Sequence, residues 1–171
     1  LADYGYREVG QEYLQNVLNT DKKLDAYDSG RIYYYLGDYQ KAYLALEEAK
    51  GKGGVDSYLY LGKAYAATGD YNYASSVYSN YLSKQGPDAE IYNQLGLCEL
   101  AKKDYQKALE AFQAGKQIEG NSLMQTLCFN EIVAYEYLED YQQAEVLMNA
   151  YLQNYPDDQT AIREQQFLST R

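Results

Sequence analysis

The feature that most constrains this chain is a short sequence that recurs four times at nearly constant spacing. Asp-Tyr-x-x-Ala begins at Asp38, Asp70, Asp104 and Asp140, in steps of 32, 34 and 36 residues. Recurrence at this period is typical of a protein built from stacked copies of one supersecondary unit. In a chain of 171 residues, we expect such units to share one continuous core and to form one elongated domain.

Alignment of the copies on the Asp-Tyr pair shows which positions recur and predicts two helices in each unit. Nine residues before the Tyr lies a glycine in three copies and an isoleucine in the fourth. An alanine lies three residues after the Tyr, and a large apolar or aromatic residue lies seven residues after it. These columns hold Gly30, Gly62, Gly96 and Ile132, then Ala42, Ala74, Ala108 and Ala144, then Leu46, Tyr78, Phe112 and Met148. Offsets of three, four and seven lie on one helix face, and small residues allow two helices to approach closely.

The residues between the two helices of each unit predict a tight turn. Gly37 and Gly69 suit the left-handed backbone that ends a helix, and the Asp that follows can cap the next one. In the later copies Lys103 and Glu139 take the place of glycine, so we expect those two turns to be tighter or differently shaped. Turn-forming residues at 51–54, 85–88, 119–122 and 155–158 predict the joints between units.

These motifs resemble the tetratricopeptide repeat over about residues 22–157, and the second unit, YLYLGKAYAATGDYNYASSVYSNYL, carries the resemblance most fully. The chain departs from the family pattern at Ile132, at Glu99 in an aromatic column, and at Tyr81 and Tyr151 in a small-residue column. The resemblance implies an all-α fold, a right-handed α-solenoid of about ten helices in stacked antiparallel pairs. The predicted single domain covers 1–171 and consists of a partial repeat helix at 1–20, repeats at 22–53, 54–87, 88–121 and 122–157, and a capping helix at 158–171.

The two ends of the chain carry amphipathic stretches outside the four complete units. Tyr6, Gly10, Tyr13, Leu14 and Val17 predict the second helix of an incomplete unit. At the other end, Ile162, Gln166 and Phe167 predict a helix that shields the apolar face of the last unit.

Composition weighs against several classes of function. The 25 acidic and 15 basic residues give a net charge of -10, which opposes binding to nucleic acid and to anionic lipid surfaces. No apolar run is long enough to cross a bilayer, so we expect no membrane insertion by this segment. We expect no enzyme activity, catalytic residue, metal or cofactor, because the chain lacks histidine, metal-ligand cysteine pairs and phosphate-binding glycine loops. Cys98 and Cys128 are expected to be inert buried thiols.

Most of the 23 tyrosines have a structural explanation. Many of them fall in repeat-defining columns, where an aromatic ring packs between helices with its hydroxyl near water. The remaining candidates for binding lie on the first helix of each unit, which the resemblance places on an inner, concave surface. The predicted partner-binding residues are Tyr27, Arg31, Tyr34, Tyr35, Tyr60, Lys63, Asn93, Gln94, Leu97, Phe129, Asn130, Val133 and Tyr137.

Some family members grip a partner's terminal carboxylate with Lys and Asn on this surface. Here the corresponding places of the first unit hold Tyr27, Asp28 and Arg31, so that pattern is absent. In so acidic a chain we expect Arg31 and Lys63 to pair with nearby Asp or Glu.

The function predicted from these observations is a non-catalytic scaffold that binds a peptide or protein segment, because rigid aromatic area favours interfaces. Two alternatives stay open. The chain could be a glycan-binding module of a bacterial cell-surface protein, or an accessory helical domain of a larger enzyme. The ending YLQNYPDD resembles unit endings of bacterial envelope tetratricopeptide proteins, and the chain does not begin with Met. Both favour a trimmed bacterial extracytoplasmic protein, with the cytoplasm as the alternative.

Overall fold

The helical prediction is confirmed in this computed structural model, which describes residues 2–20, 23–50, 52 and 54–171, with side chains from residue 8 onward. These residues form ten helices and no strand. The helices are α1 (Ala2–Leu18), α2 (Ala26–Leu36), α3 (Tyr39–Ala49), α4 (Gly54–Ala67), α5 (Tyr71–Gln85), α6 (Ala89–Ala101), α7 (Tyr105–Lys116), α8 (Met124–Tyr137), α9 (Tyr141–Asn154) and α10 (Gln159–Leu168). The fold is therefore an all-α helical repeat.

The chain also divides into two compact halves, Leu1–Tyr81 and Leu82–Arg171, which we call unit 1 and unit 2 to distinguish them from the four repeats. In unit 1, α2 packs against α1, α3 and α4, and α3 also packs against α4. In unit 2, each helix from α6 to α10 packs against the next one along the chain. In both units, therefore, helices that follow one another in the sequence are also neighbours in space.

Each glycine of the small-residue column lies against the large residue of the paired helix. A Cβ atom built on Gly30 would lie 2.5 Å from Leu46 Cγ, and one built on Gly96 would lie 2.3 Å from Phe112 Cε1. Gly62 and Tyr78 show the same arrangement, also at 2.3 Å. The four recurring alanines, Ala42, Ala74, Ala108 and Ala144, are fully buried. This confirms that small residues permit close helix packing.

The last unit fills the same space with a different pair of side chains. Ile132 and Met148 are both buried and belong to one apolar cluster. Met is unbranched and flexible, so it can lie beside a branched residue where an aromatic ring could not. The loss of glycine at position 132 is thus accompanied by a change in its partner.

The turns at Lys103 and Glu139 do not differ in shape, which corrects the prediction from sequence. Both residues adopt the left-handed backbone, with φ of 64° and 60°, like Gly37 and Gly69 in the earlier units. In all four turns the N–H of the recurring Asp donates to the carbonyl five residues before it, at 2.9 to 3.0 Å. This bond ends the first helix in each unit, and it holds Lys103 and Glu139 in a conformation that side chains ordinarily avoid.

The recurring Asp also starts the second helix of each unit. Its carboxylate accepts a hydrogen bond from the backbone N–H three residues later. The acceptors are Asp38, Asp70, Asp104 and Asp140, and the donors are Lys41, Tyr73, Lys107 and Gln143. Because this bond satisfies an N–H that has no partner within the helix, it explains why the recurring sequence keeps Asp at this position.

Both terminal helices form, but only some of the residues predicted to pack are buried. In α1, Gly10 and Tyr13 are exposed, and Leu14 and Val17 are half-buried; the side chain of Tyr6 lies outside the described residues. In α10 the buried residues are Ala161 and Leu168, which lie seven positions apart on one helix face, whereas Phe167 is exposed. Arg171 covers the ring of Phe167 instead, at 4.4 Å from its centroid.

Across the described ranges, none of the helices has the length and apolar character needed to span a bilayer. The predicted joint at 51–54 is described only at Lys52 and Gly54, and its other two residues lie outside the described residues.

Candidate functional site

The predicted residues of unit 1 form one aromatic cluster on α2 and α4. We call Tyr27, Arg31, Tyr34, Tyr35, Tyr60 and Lys63 the unit 1 surface. The Tyr34 ring packs edge-on against Tyr35 and Tyr60, with centroids 5.6 and 5.5 Å away. The hydroxyls of Tyr35 and Tyr60 share a hydrogen bond of 2.6 Å. That bond, and then burial, raises the pKa of Tyr35, so its phenol is neutral at physiological pH.

Arg31 lies in this cluster against aromatic rings, which corrects the expectation that it would pair with a carboxylate. Its guanidinium carbon is 5.2 Å from the ring centroids of both Tyr27 and Tyr60. In the described part of the chain Arg31 forms no ion pair. The neighbouring carboxylate, Asp56, instead accepts a hydrogen bond of 3.3 Å from the Tyr27 hydroxyl. Aromatic faces attract the guanidinium by their quadrupole without neutralising its charge.

The predicted residues of unit 2 lie on α6 and α8, and we call Asn93, Gln94, Leu97, Phe129, Asn130, Val133 and Tyr137 the unit 2 surface. Two of them are in direct contact, because Asn130 Nδ2 donates to Asn93 Oδ1 at 2.8 Å. Asn93 is buried, whereas Leu97 and Tyr137 are exposed. Tyr137 also stacks on Tyr105 of α7, with centroids 4.9 Å apart. Gln94 donates to Glu90, at 3.0 Å, on its own helix.

A cavity of about 270 Å³ adjoins the unit 2 surface and includes residues that sequence reasoning missed. Phe129 and Asn130 line it together with Gln125, Tyr151 and Asp158. The Tyr151 hydroxyl donates to Asp158 at 2.6 Å and accepts from Gln125 Nε2 at 3.1 Å. Tyr151 departs from the family pattern, and Asp158 belongs to a predicted joint. Their spacing of seven residues was the available signal that they could meet.

The two cysteines are free thiols. Cys98 is buried, and burial raises the pKa of its thiol to about 12. Cys128 is only partly buried, and burial also raises the pKa of its thiol. At neutral pH both therefore hold their protons, which makes them poor nucleophiles.

The Glu99 and Glu131 side chains are buried charges in unit 2, each paired with a lysine. Glu99, in an aromatic column of the repeat, accepts from Lys102 at 2.9 Å. Glu131 of α8 is 5% exposed and pairs with Lys116 of α7. Gln113 Nε2 donates to the other oxygen of Glu131 at 2.9 Å. The contacts of Glu131 account for its charge as part of helix packing, whereas Oε2 of Glu99 is buried without a hydrogen-bond partner.

A separate polar cavity of about 590 Å³ lies in unit 1, away from the predicted surface. Gln11, Glu12 and Gln15 of α1 line it, together with Tyr33 and Lys41. None of the predicted partner-binding residues contributes to its wall.

The Glu136 carboxyl of α8, which lies beside Glu164 of α10, makes the stability of the folded protein depend on pH. Its Oε1 atom is buried and has no hydrogen-bond partner. Burial first, and then the Glu164 carboxyl of α10, raises the pKa of Glu136 to about 7. Because the folded protein holds this proton more tightly than the unfolded chain, the stability is full at acidic pH and is lost as pH rises through 7.

We therefore expect Glu136→Gln to gain stability relative to the wild type as pH rises. Between pH 5 and pH 8 the difference in unfolding free energy should grow by about 1 kcal/mol, allowing for solvent screening of a half-exposed pair. Urea unfolding of both proteins at the two pH values measures this. A constant difference would contradict the raised pKa.

Comparison with known proteins connects this repeat to a family. Residues 59–121 match the family model described as tetratricopeptide repeat. Tetratricopeptide repeat protein 21B of Xenopus laevis is 28% identical over 153 residues, which cover 88% of this chain and 10% of that protein. The chain thus spans about a tenth of the length of this curated relative.

Solved structures share the fold. The crystal structure of MamA protein has a TM-score of 0.73 and 21% identity, covering 84% of this chain and 78% of its own. The second TPR domain of human RPAP3, determined in complex with the HSP70 peptide SGPTIEEVD, has a TM-score of 0.57 and 16% identity, covering 64% and 90%. Residues 59–121 therefore carry a tetratricopeptide repeat match, and the recurring helix pairs share the fold of these solved structures.

Proposed function

We propose that the chain is a non-catalytic protein-interaction module, in which the first-helix surface of each unit binds a peptide segment. The observation that carries this proposal is the contact between neighbouring first helices through polar and aromatic side chains. Tyr35 meets Tyr60 between α2 and α4, and Asn130 meets Asn93 between α6 and α8. Each unit therefore presents a preassembled patch of rings and hydrogen-bonding groups.

The composition of both patches suits a peptide. Tyrosine rings supply large contact area at little cost in side-chain entropy, and amide side chains can bond a peptide backbone. Tyr35 and Tyr137 are each more than half exposed, so a ligand can cover them. The RPAP3 domain, which shares the fold, was determined with a bound peptide, and this supports the same use of the fold here.

The cavity beside Phe129 and Asn130 would receive a side chain of the bound segment. It is large enough, at about 270 Å³, for a medium-sized side chain, and its wall combines the Phe129 ring with the polar pair Tyr151 and Asp158. A pocket of this kind gives sequence preference to binding that is otherwise directed at the peptide backbone.

The proposal is tested with a phage-displayed library of random 12-residue peptides, from which binders are selected and synthesised. We expect Tyr35→Ala combined with Tyr137→Ala to weaken binding about tenfold or more, because exposed aromatic residues dominate interface energies. Fluorescence anisotropy of a labelled selected peptide measures the change.

Tyr13→Ala and Val146→Ala are the matched controls, because both residues are at least as exposed as the two tyrosines and lie on α1 and α9. They should bind like the wild type. Failure to select any peptide would contradict the proposed function. Equal binding by the double variant would show that the peptide lies elsewhere on the protein.

A further inference from the structure

We infer that Arg31 anchors an acidic side chain, Asp or Glu, of the bound peptide; this rests on the proposed function and names the chemistry of its ligand. The starting observation is the environment of one positive charge. Arg31 belongs to a chain with a net charge of -10, yet within the described residues it forms no ion pair. In such a chain an arginine without a carboxylate partner is unexpected.

Aromatic groups hold the guanidinium in place. Tyr27 lies on α2 with Arg31, Tyr60 lies on α4, and both ring centroids are 5.2 Å from the guanidinium carbon. Tyr60 is itself fixed by its hydroxyl contact with Tyr35. The guanidinium is therefore oriented before any ligand arrives, which reduces the entropy lost on binding.

The charge of Arg31 is also partly removed from water. The side chain is half-buried, and its Nε atom is buried without a hydrogen-bond partner. Beyond its contact with the Tyr60 hydroxyl, the aromatic faces do not replace the other hydrogen bonds that water would accept from this group. A carboxylate that meets the remaining N–H groups would supply both the acceptors and the missing counter-charge.

The Asp56 carboxylate, which contacts the same cluster, does not serve this purpose. It accepts a hydrogen bond of 3.3 Å from the Tyr27 hydroxyl, and among the described residues no ion pair joins it to Arg31. A single guanidinium carries one positive charge in a planar fork, which matches the charge and geometry of one carboxylate. We therefore assign an Asp or Glu side chain of the peptide to this position.

The test repeats the phage selection with three forms of the chain. In this format each displayed peptide is joined to the coat protein at its C-terminus, so that only side-chain carboxylates can be selected. Wild-type protein should select peptides with Asp or Glu at one fixed position. Arg31→Gln should select peptides without that preference, and Arg31→Glu should select Lys or Arg at the same position.

Binding of one synthetic wild-type-selected peptide then measures the size of the effect. Its affinity should fall at least about tenfold for Arg31→Gln, and changing its acidic residue to the amide should cause a similar loss. The two losses should not add when both changes are made, because they remove the same contact. Arg31→Lys, which keeps the charge but not the planar fork, should retain part of the affinity.

The outcomes separate this inference from the proposed function. Peptides that bind through the tyrosines but show no acidic preference, or the same preference with Arg31→Gln, would overturn the role of Arg31 and leave the peptide-binding module in place. Selection of no peptide by the wild type would overturn both. Thermal unfolding of each variant verifies that it is folded, since Arg31 also contacts two rings of the cluster.

Discussion

Gly96→Ile should destabilise the protein by about 3 kcal/mol or more, because the new side chain would occupy the space of the Phe112 ring. Even a Cβ atom at this position would lie 2.3 Å from Phe112 Cε1 and 2.7 Å from two other ring atoms. Phe112 is fully buried in a cluster that also contains Ala108 and Leu127, so the ring has no free space into which it can move. Urea unfolding measures the loss.

A second substitution tests the explanation itself. Phe112→Met added to Gly96→Ile would recreate the pair that the last unit has at Ile132 and Met148, both fully buried. We expect the double variant to recover at least half of the lost stability, although Phe112→Met alone should destabilise by about 1 kcal/mol.

Gly10→Ala is the control for the effect of removing a helical glycine. Nothing lies within 4 Å of a Cβ atom built on Gly10, so this change should stabilise α1 by about 0.5–1 kcal/mol. If the Gly96→Ile variant unfolds at the same urea concentration as the wild type, the close approach of α6 and α7 is contradicted.

Lys116→Met should destabilise unit 2 by about 2–4 kcal/mol at pH 7, because it leaves the Glu131 carboxylate buried without a counter-charge. Glu131 is 5% exposed, and after the change only Gln113, at 2.9 Å, would remain to bond it. Denaturant unfolding of the variant and the wild type at pH 7 measures this loss.

Glu131→Gln in the Lys116→Met background should restore at least half of the stability, because it removes the stranded charge and keeps the shape of the side chain. Lys107→Met is the matched control. Lys107 and Asp104 form a pair of 2.6 Å whose side chains are 64% and 35% exposed, so this loss should stay within about 0.5 kcal/mol. Equal effects of Lys107→Met and Lys116→Met would contradict the importance of burial.

The core of each unit was predictable because it depends on helical spacing alone. Once the copies were aligned, Gly96 and Phe112 fell in facing columns, and the structure places them in contact. The alanines three residues after the recurring tyrosines are buried for the same reason. Periodicity determines which helix face a residue lies on, and packing follows from the face.

The shape of a turn was less predictable because two forces act on the same residue. Lys103 and Glu139 have side chains that disfavour a left-handed backbone, and this intrinsic preference suggested a different turn. The hydrogen bonds that end the preceding helix keep the same conformation at both positions. Tertiary structure therefore overrides the local preference there.

The partners of side chains at the proposed binding surface were the least predictable feature of the chain. Charge balance suggested a carboxylate for Arg31, but the partner depends on where the rings of Tyr27 and Tyr60 lie. Likewise Tyr151 and Asp158 are distant from the predicted surface in sequence terms, and only helix packing brings them beside Phe129. The helices could be predicted from the sequence, whereas the side-chain contacts between neighbouring helices could not.

The claim that first helices form the peptide-binding surface is tested most directly by site-specific photo-cross-linking. The photoreactive residue p-benzoylphenylalanine would replace Tyr35 or Tyr137 on that surface, and Tyr13 or Val146 elsewhere. Each of the four variants would be mixed with a selected peptide and irradiated. Mass spectrometry would then locate the cross-links. We expect cross-links to the peptide from positions 35 and 137 and none from positions 13 and 146; cross-links only from positions 13 and 146 would contradict the account.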